Sequence, residues 1–139
     1  MVVSKLYEAV DTTERLDKQR LAQWLEVLRD RPGNEVFDAL IGVFCNADRP
    51  ARRYLAQEYA GRLLLALKPP PPLQVQTAIK RILPTWDFSV EQLPWYFEAV
   101  IGHEALSQAL DALRTQLSSD QEKKAIETFY FWIRAGHRR

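Results

Sequence analysis

The side chains that most often carry catalysis are few in this sequence and lie far apart. The chain has two histidines, His103 and His137, and a single cysteine, Cys45. A nucleophilic pair needs a thiol beside an imidazole, and no spacing in the sequence supports such a pair. The glycines stand singly, and no two cysteines or histidines have the spacing of metal ligands. The sequence therefore predicts no catalytic residue, no metal site and no cofactor.

Carboxylates are plentiful, and two of them, Asp38 and Glu98, lie beside apolar stripes where a pair could serve in acid–base catalysis. Such residues more often form the solvated face of a helix. A small enzyme built from scattered acidic groups is therefore an alternative, and its mark would be a buried acidic pair in a pocket.

Positive charge is concentrated in the middle of the chain. Residues 48–83 contain seven basic and two acidic side chains, whereas residues 1–47 and 84–139 each contain six basic and eight acidic ones. The candidate partner-binding cations are Arg49, Arg52, Arg53, Arg62, Lys80 and Arg81. Arginine suits carboxylates and phosphates because its planar guanidinium group binds two oxygens at once. The block predicts a surface for an acidic protein or a nucleic-acid backbone, unless its members form ion pairs within the fold.

Aromatic side chains form two clusters. Residues 86–97 contain five of them, and Trp95 and Tyr96 are the candidate apolar anchors for a partner. Four more are consecutive, so they point all round their helix: Phe129, Tyr130, Phe131 and Trp132. Some of these rings either reach a second packing layer or remain exposed, where they could hold a second copy of the chain. A thick core and a homo-oligomer interface are both open.

Apolar residues recur every three to four positions along most of the chain, and no segment alternates in steps of two. This period predicts an all-α fold of seven or eight helices. Short connections make neighbouring helices antiparallel, so the architecture is either a stack of helix hairpins or a compact bundle. The predicted helix starts and stops are marked by Thr13 or Asp17, Pro32-Gly33, Asn34, Asp48-Arg49-Pro50, Pro69–Pro72, Pro84, Gly102, Ser118-Ser119 and Gly136.

The chain also shows a loose internal repeat. A shift of 39 residues places Val36–Asp48 on Val75–Asp87, and six of the 13 aligned positions keep their character. A period of about 40 residues that carries two helices is typical of helical solenoids.

The start of the second helix in the first repeat resembles the HEAT family. That helix typically begins with an Asp, then Pro or Val, an Arg, and small residues about four apart. The matching residues here are Asp48, Pro50, Arg52, Arg53, Ala56 and Ala60. The resemblance covers residues 34–101 and implies a short superhelix of stacked hairpins, with repeats at 34–67 and 73–101 and a degenerate hairpin at 103–135. Pro94 departs from the pattern, so the second helix of the second repeat should start late or bend.

Length and composition bound the remaining possibilities. The 139 residues suit one domain, 1–139, and a hydrophobic fraction of 47% is too high for a disordered chain. The longest apolar runs, 63–67 and 129–133, are far shorter than the roughly 20 residues that span a bilayer. A single cysteine and an N-terminus without a signal-peptide pattern make the cytoplasm the expected location.

These patterns together predict a non-catalytic interaction or scaffold module. Its partner would be an acidic protein or peptide, bound through a basic and aromatic helical surface. The alternative is a nucleic-acid-binding helical-repeat protein that uses the same basic block, as some HEAT-like proteins do. A net charge of +1 is low for a nucleic-acid-binding domain, which favours the protein partner.

Overall fold

The computed structural model describes residues 2–12, 15–46 and 52–136 of the chain. Within these ranges every regular element is an α-helix, which confirms the predicted all-α fold class. The described residues form eight helices: α1 Val2–Thr12, α2 Lys18–Arg29, α3 Gly33–Phe44, α4 Arg53–Leu67, α5 Val75–Ile82, α6 Gln92–Ile101, α7 His103–Gln116 and α8 Asp120–Ala135.

Several helix ends follow the sequence signals. Asp17 caps α2 and accepts hydrogen bonds from the backbone N–H groups of Gln19 and Arg20. Ser119 caps α8 and accepts from the N–H of Glu122, which is the first of the two hydrogen bonds of the predicted capping box. Gly102, with φ of 91°, ends α6 in a conformation that favours glycine.

Other ends differ from the prediction. The predicted cap Asn34 is wrong, because α3 already begins at Gly33 and the capping residue Pro32 offers no side-chain acceptor. The predicted start at Asp48-Arg49-Pro50 lies outside the described residues, and the helix itself begins at Arg53. The sequence signals did not predict α1, because the first predicted helix start was at Thr13 or Asp17.

Pro94 lies in the first turn of α6, because that helix begins only at Gln92. A first-turn residue has no N–H acceptor within the helix, so proline costs little there. The expectation that this helix starts late is confirmed.

The helices contact one another in a regular order. The even-numbered helices meet in sequence, α2 with α4, α4 with α6 and α6 with α8. The odd-numbered helices meet as two pairs, α1 with α3 and α5 with α7. Stacked hairpins produce such an order, and HEAT-like stacking stays a prediction.

The proline run occupies the region between α4 and α5. Pro70 packs against the start of α3 so closely that a Cβ added to Gly33 would lie 2.6 Å from its Cδ. The carbonyl oxygen of Pro69 accepts a hydrogen bond from the Tyr96 hydroxyl. The run is therefore tied into the fold on two sides.

One cluster of buried apolar side chains receives residues from all eight helices.

In the part of the chain that the structure describes, no helix has both the length and the apolar character needed to cross a membrane.

Helix α4 lies at the centre, in contact with α1, α2, α3 and α6. Its buried residues are spread around its circumference: Leu55, Ala56, Gln57, Tyr59, Ala60, Gly61, Leu63 and Leu64. A helix enclosed on most sides must satisfy every polar group that it buries.

Gln57 meets that requirement with both ends of its amide. The side chain is fully buried. Its Nε2 donates to the carbonyl oxygen of Thr85 at 2.7 Å, and its Oε1 accepts from the backbone N–H of Asp87 at 2.7 Å. One side chain of α4 thereby satisfies two backbone groups of the turn between α5 and α6.

Gly61 lets α6 approach α4 closely. A Cβ at this position would lie 3.0 Å from the Cβ of Gln92 and 3.2 Å from Cγ1 of Val90. Even an added methyl group would therefore require these neighbours to shift by a few tenths of an ångström, and a branched side chain would require more.

We predict that Gln57→Leu lowers the free energy of unfolding by about 2–4 kcal/mol, because two partly buried backbone groups lose their partners. Urea denaturation followed by circular dichroism measures this change. The matched control is Gln121→Leu on the exposed surface of α8, for which we expect a change within about 0.5 kcal/mol. Equal effects of the two substitutions would contradict the role of Gln57.

We also predict that Gly61→Val destabilises the protein by about 1–3 kcal/mol, because the branched side chain overpacks the contact between α4 and α6. The control is Gly42→Ala in α3, where an added Cβ meets no heavy atom within 4 Å. This control should be neutral or stabilising by up to about 1 kcal/mol, since alanine is the better helix former. A melting temperature for Gly61→Val at or above that of the unmodified protein would show that the contact is not tight.

Candidate binding groove

The predicted basic residues of α4 lie at separate places along the helix. Arg49 is outside the described residues. Arg52 immediately precedes α4, and its Nη1 donates to the carbonyl oxygen of Val10 in α1 at 2.9 Å. Arg53 is half-buried, and among the residues that the structure describes its Nε has no hydrogen-bond partner. These two arginines line a cavity of about 10 Å³ where α4 meets α1 and α3, which is room for a single water molecule.

Arg62 lies nine residues beyond Arg53, which is about 13 Å along the helix axis. Its guanidinium group forms an ion pair with Glu58 on the preceding turn, with Nη2 3.1 Å from the Glu58 Oε2. This exposed pair is worth only about 0.3–0.5 kcal/mol, so it leaves Arg62 able to exchange partners.

Lys80 and Arg81 lie on α5, where both side chains are exposed. In residues 2–12, 15–46 and 52–136, neither has a carboxylate within 4.0 Å. Arg81 lies close enough to the Cys45 thiol at the end of α3 to act on its pKa. Most of the predicted cations are thus surface groups, but Arg62 is separated along α4 from Arg52 and Arg53.

The two predicted apolar anchors differ in their placement. Tyr96 is fully buried, with its ring 5.0 Å from that of Phe97. It is a core residue, and the prediction that it anchors a partner is wrong, because its ring packs 6.3 Å from that of Phe37 in α3 and its hydroxyl donates to the carbonyl oxygen of Pro69. Trp95 is half-buried, and its Nε1 donates to the carbonyl oxygen of Trp132 in α8 at 3.1 Å.

The four aromatic residues of α8 are divided between core and surface. Phe129 is fully buried, and Trp132 is half-buried with its Nε1 bonded to the carbonyl oxygen of Phe88 at 2.8 Å. The Tyr130 hydroxyl donates to the Asp111 carboxylate, and burial together with this bond raises the pKa of Tyr130 to about 12. Phe131 alone among the four is largely exposed. A homo-oligomer interface would therefore rest on Phe131 and not on the whole run.

A groove of about 400 Å³ lies between the start of α2 and the exposed side of α4. We call it the α2–α4 groove. Its polar lining residues are Arg15, Lys18, Glu58 and Arg62, and its apolar ones are Leu16, Tyr54 and Leu55.

Tyr59 of α4 fixes the position of α2 beside this groove. Its hydroxyl accepts a hydrogen bond from the backbone N–H of Asp17 at 2.7 Å, directly before α2 begins. Its ring meets the ring of Trp24 edge to face, with the centroids 5.1 Å apart. A fully buried residue therefore sets how far the cations of α2 stand from those of α4.

The described residues that line the groove include three cations and one carboxylate. Arg15 and Lys18 are exposed and, in the part of the chain that the structure describes, have no carboxylate within 4.0 Å. The carboxylate is Glu58, which is already paired with Arg62. The groove can therefore accept negative charge from outside the chain.

Tyr54 supplies an apolar wall, with 44% of its surface exposed. Desolvation raises the pKa of its hydroxyl, and the Glu58 carboxylate adds to the effect. The hydroxyl therefore remains protonated at neutral pH and can both donate and accept a hydrogen bond. Together with Leu16 and Leu55, this ring offers an apolar contact between the cations.

No family model, curated protein or solved structure matches the chain. The binding chemistry of the groove therefore follows from the residues that line it.

Sequence reasoning missed Arg15 and Lys18. They lie in the segment 1–47, whose acidic side chains outnumber its basic ones, so the averaged charge hid them. A view of individual positions at the predicted start of α2 would have found both, but only the packing of α2 on α4 brings them near Arg62.

Of the residues with catalytic potential, His103 and Glu98 form a pair, and Cys45 lies at the end of α3. His103 Nδ1 lies 2.8 Å from the Glu98 Oε2 in an exposed pair. Burial raises the pKa of the Cys45 thiol, and the nearby Arg81 only partly opposes this effect. Within the described ranges, no three His, Cys, Asp or Glu side chains lie close enough to hold a metal ion.

We predict that Cys45 reacts with iodoacetamide more slowly at pH 8 than an exposed cysteine does, because burial raises the pKa of its thiol. Its raised pKa leaves a smaller fraction as thiolate, so the rate should keep rising above pH 9. Mass spectrometry over time measures both rates. The reference is the exposed cysteine of the double variant Cys45→Ser, Ser118→Cys. Equal rates at pH 8 would show that the thiol is not shielded.

Proposed function

We propose that the protein is a non-catalytic interaction module that binds an acidic segment of a partner protein in the α2–α4 groove. The observation that carries the proposal is the meeting of Arg15 from the loop before α2, Lys18 from α2 and Arg62 from α4 around an exposed Tyr54 ring. Carboxylates of the partner would pair with the cations, while one of its apolar side chains contacts Tyr54, Leu16 and Leu55.

The acidic groups in and near the groove favour a protein partner over a nucleic acid. A regular phosphate backbone would bring negative charge against Glu58 at any register, whereas a peptide can place its carboxylates beside the cations alone. The chain as a whole carries only one net positive charge. A groove of about 400 Å³ holds a few side chains rather than a duplex.

The expected affinity is low. Each exposed charge contact contributes about 0.2–1 kcal/mol, and the apolar contact adds roughly 25 cal/mol for each Å² removed from water. Three charge contacts and one apolar side chain sum to about 2–6 kcal/mol, so we expect a dissociation constant of about 0.1 mM or above. Weak binding of this kind suits a scaffold whose partners exchange.

Selection from a library of random 12-residue peptides tests the proposal. We expect the selected peptides to be enriched in Asp and Glu and to carry at least one Leu or aromatic residue. In fluorescence anisotropy, the double variant Arg15→Ser, Lys18→Ser should bind the best of them about fivefold more weakly, since two charge contacts are lost.

The matched control is Lys123→Ser, Lys124→Ser, which also removes two positive charges, but from the exposed surface of α8. This variant should retain the affinity of the unmodified protein. Equal losses in the two variants would mean that net charge alone drives binding. A library without acidic enrichment would contradict the proposal, as would tighter binding of a 12-nucleotide single strand of DNA than of any selected peptide.

A further inference from the structure

A second groove flanks α2 on its other side. This α1–α2 groove has a volume of about 410 Å³. Lys5, Arg20 and Arg31 line it, and Glu8 is the one carboxylate among its lining residues. Its apolar contacts are Trp24, whose ring is nearly buried, and Val27, which is 48% exposed. The charge and the apolar character of the α2–α4 groove are thus repeated by a separate set of residues.

The cations of this second groove are available to an external ligand. Lys5 and Arg31 are exposed, and neither has a carboxylate within 4.0 Å among the residues placed by the structure. Arg20 lies 3.8 Å from the Asp17 carboxylate, which already accepts from the N–H of Gln19. Lys5 and Arg31 are therefore the stronger sites for a partner's carboxylates.

Helix geometry places the two grooves on opposite flanks of α2. Each residue advances the helix by about 100°, so Lys18 in one groove and Arg20 in the other point about 200° apart. The helix itself is therefore a ridge between two cationic channels.

A partner chain can cross α2 most easily near the start of the helix. Gln19 and Ala22 are exposed and uncharged there, and the short side chain of Ala22 lets a backbone pass closely. One turn further on, the exposed Glu26 carries a negative charge that would repel an acidic chain, although it is paired with Arg29 at 3.0 Å. The surface thus favours a crossing over Gln19 and Ala22.

We infer that the two grooves form one binding surface, and that the partner is an extended acidic segment that crosses α2 and places a carboxylate cluster in each groove. This inference rests on the proposed function, because it assumes that the α2–α4 groove binds such a segment. A helix with its side chains is about 10–12 Å wide, and an extended chain covers about 3.3–3.6 Å per residue. The path over the outer half of the helix circumference is about 16–19 Å, so a spacer of about five residues is needed between the two acidic clusters.

Three fluorescein-labelled synthetic peptides test the inference by anisotropy. The short peptide carries one cluster, Glu-Leu-Glu-Glu. The long peptide carries two such clusters joined by five Gly/Ser residues, and the third has the same two clusters joined by only one residue. The two-cluster peptides carry equal charge, so they separate the spanning of α2 from simple attraction.

We expect the long peptide to bind about tenfold more tightly than the short one, because the second contact is intramolecular. The peptide with the one-residue spacer should lose most of this gain. Either Lys5→Ser, Arg31→Ser or Arg15→Ser, Lys18→Ser should reduce the gain to about the twofold expected from two independent clusters, while Lys123→Ser, Lys124→Ser keeps it in full.

The outcomes separate this inference from the proposed function. If the short peptide binds but the five-residue spacer gives no more than twofold, the segment occupies one groove and the inference is overturned while the proposed function stands. A gain that survives in the Lys5→Ser, Arg31→Ser variant would also overturn it. If none of the three peptides binds at low salt, the proposed function fails and this inference fails with it.

Discussion

The structure depends on the enclosure of α4 by four other helices. A helix buried on most of its circumference cannot rely on water for its polar groups, so Gln57 must find partners within the protein. It finds them in the backbone of the turn after α5, which fixes that turn and the start of α6 against α4. Gly61 then allows α6 to lie close along the same helix. The contact between α4 and α6 therefore depends on the hydrogen bonds of Gln57 and on the absence of a side chain at Gly61, as well as on apolar burial.

The same enclosure determines which part of α4 can bind anything. Tyr54, Glu58 and Arg62 are spaced four residues apart, so they form a single stripe on the side that the other helices leave open. Two of them contribute an apolar wall and a cation to the α2–α4 groove, and the carboxylate between them orients Arg62. Because Tyr59 holds the start of α2 from inside the core, the width of the groove is a property of the packing.

The sequence was sufficient to predict features that depend on local chemistry. The period of apolar residues predicted the helices, and Asp17, Ser119 and Gly102 predicted ends that the structure contains. The features that depend on which helices pack together were not predictable in this way. Tyr96 has the character of a surface anchor in the sequence, and its burial follows only from tertiary contacts, among them Phe37 of α3 and the carbonyl oxygen of Pro69. Arg15 and Lys18 lie in an acidic segment, and they gain significance only where α2 meets α4.

The central basic residues also show what sequence-based prediction cannot supply: here the sequence suggested a grouping that the structure does not contain. Closeness in sequence placed Arg52 and Arg53 in one group with Arg62, but a helix of 15 residues carries them to different surroundings. Arg52 donates to the α1 backbone at one end, where the cavity is too small for more than a water molecule. Arg62 faces an open groove about 13 Å away along the axis. A cation contributes to recognition when it can exchange its present partner for the ligand at little cost. The weak pair of Arg62 with Glu58 meets that condition, and so do the exposed cations that α2 and its flanking loop contribute.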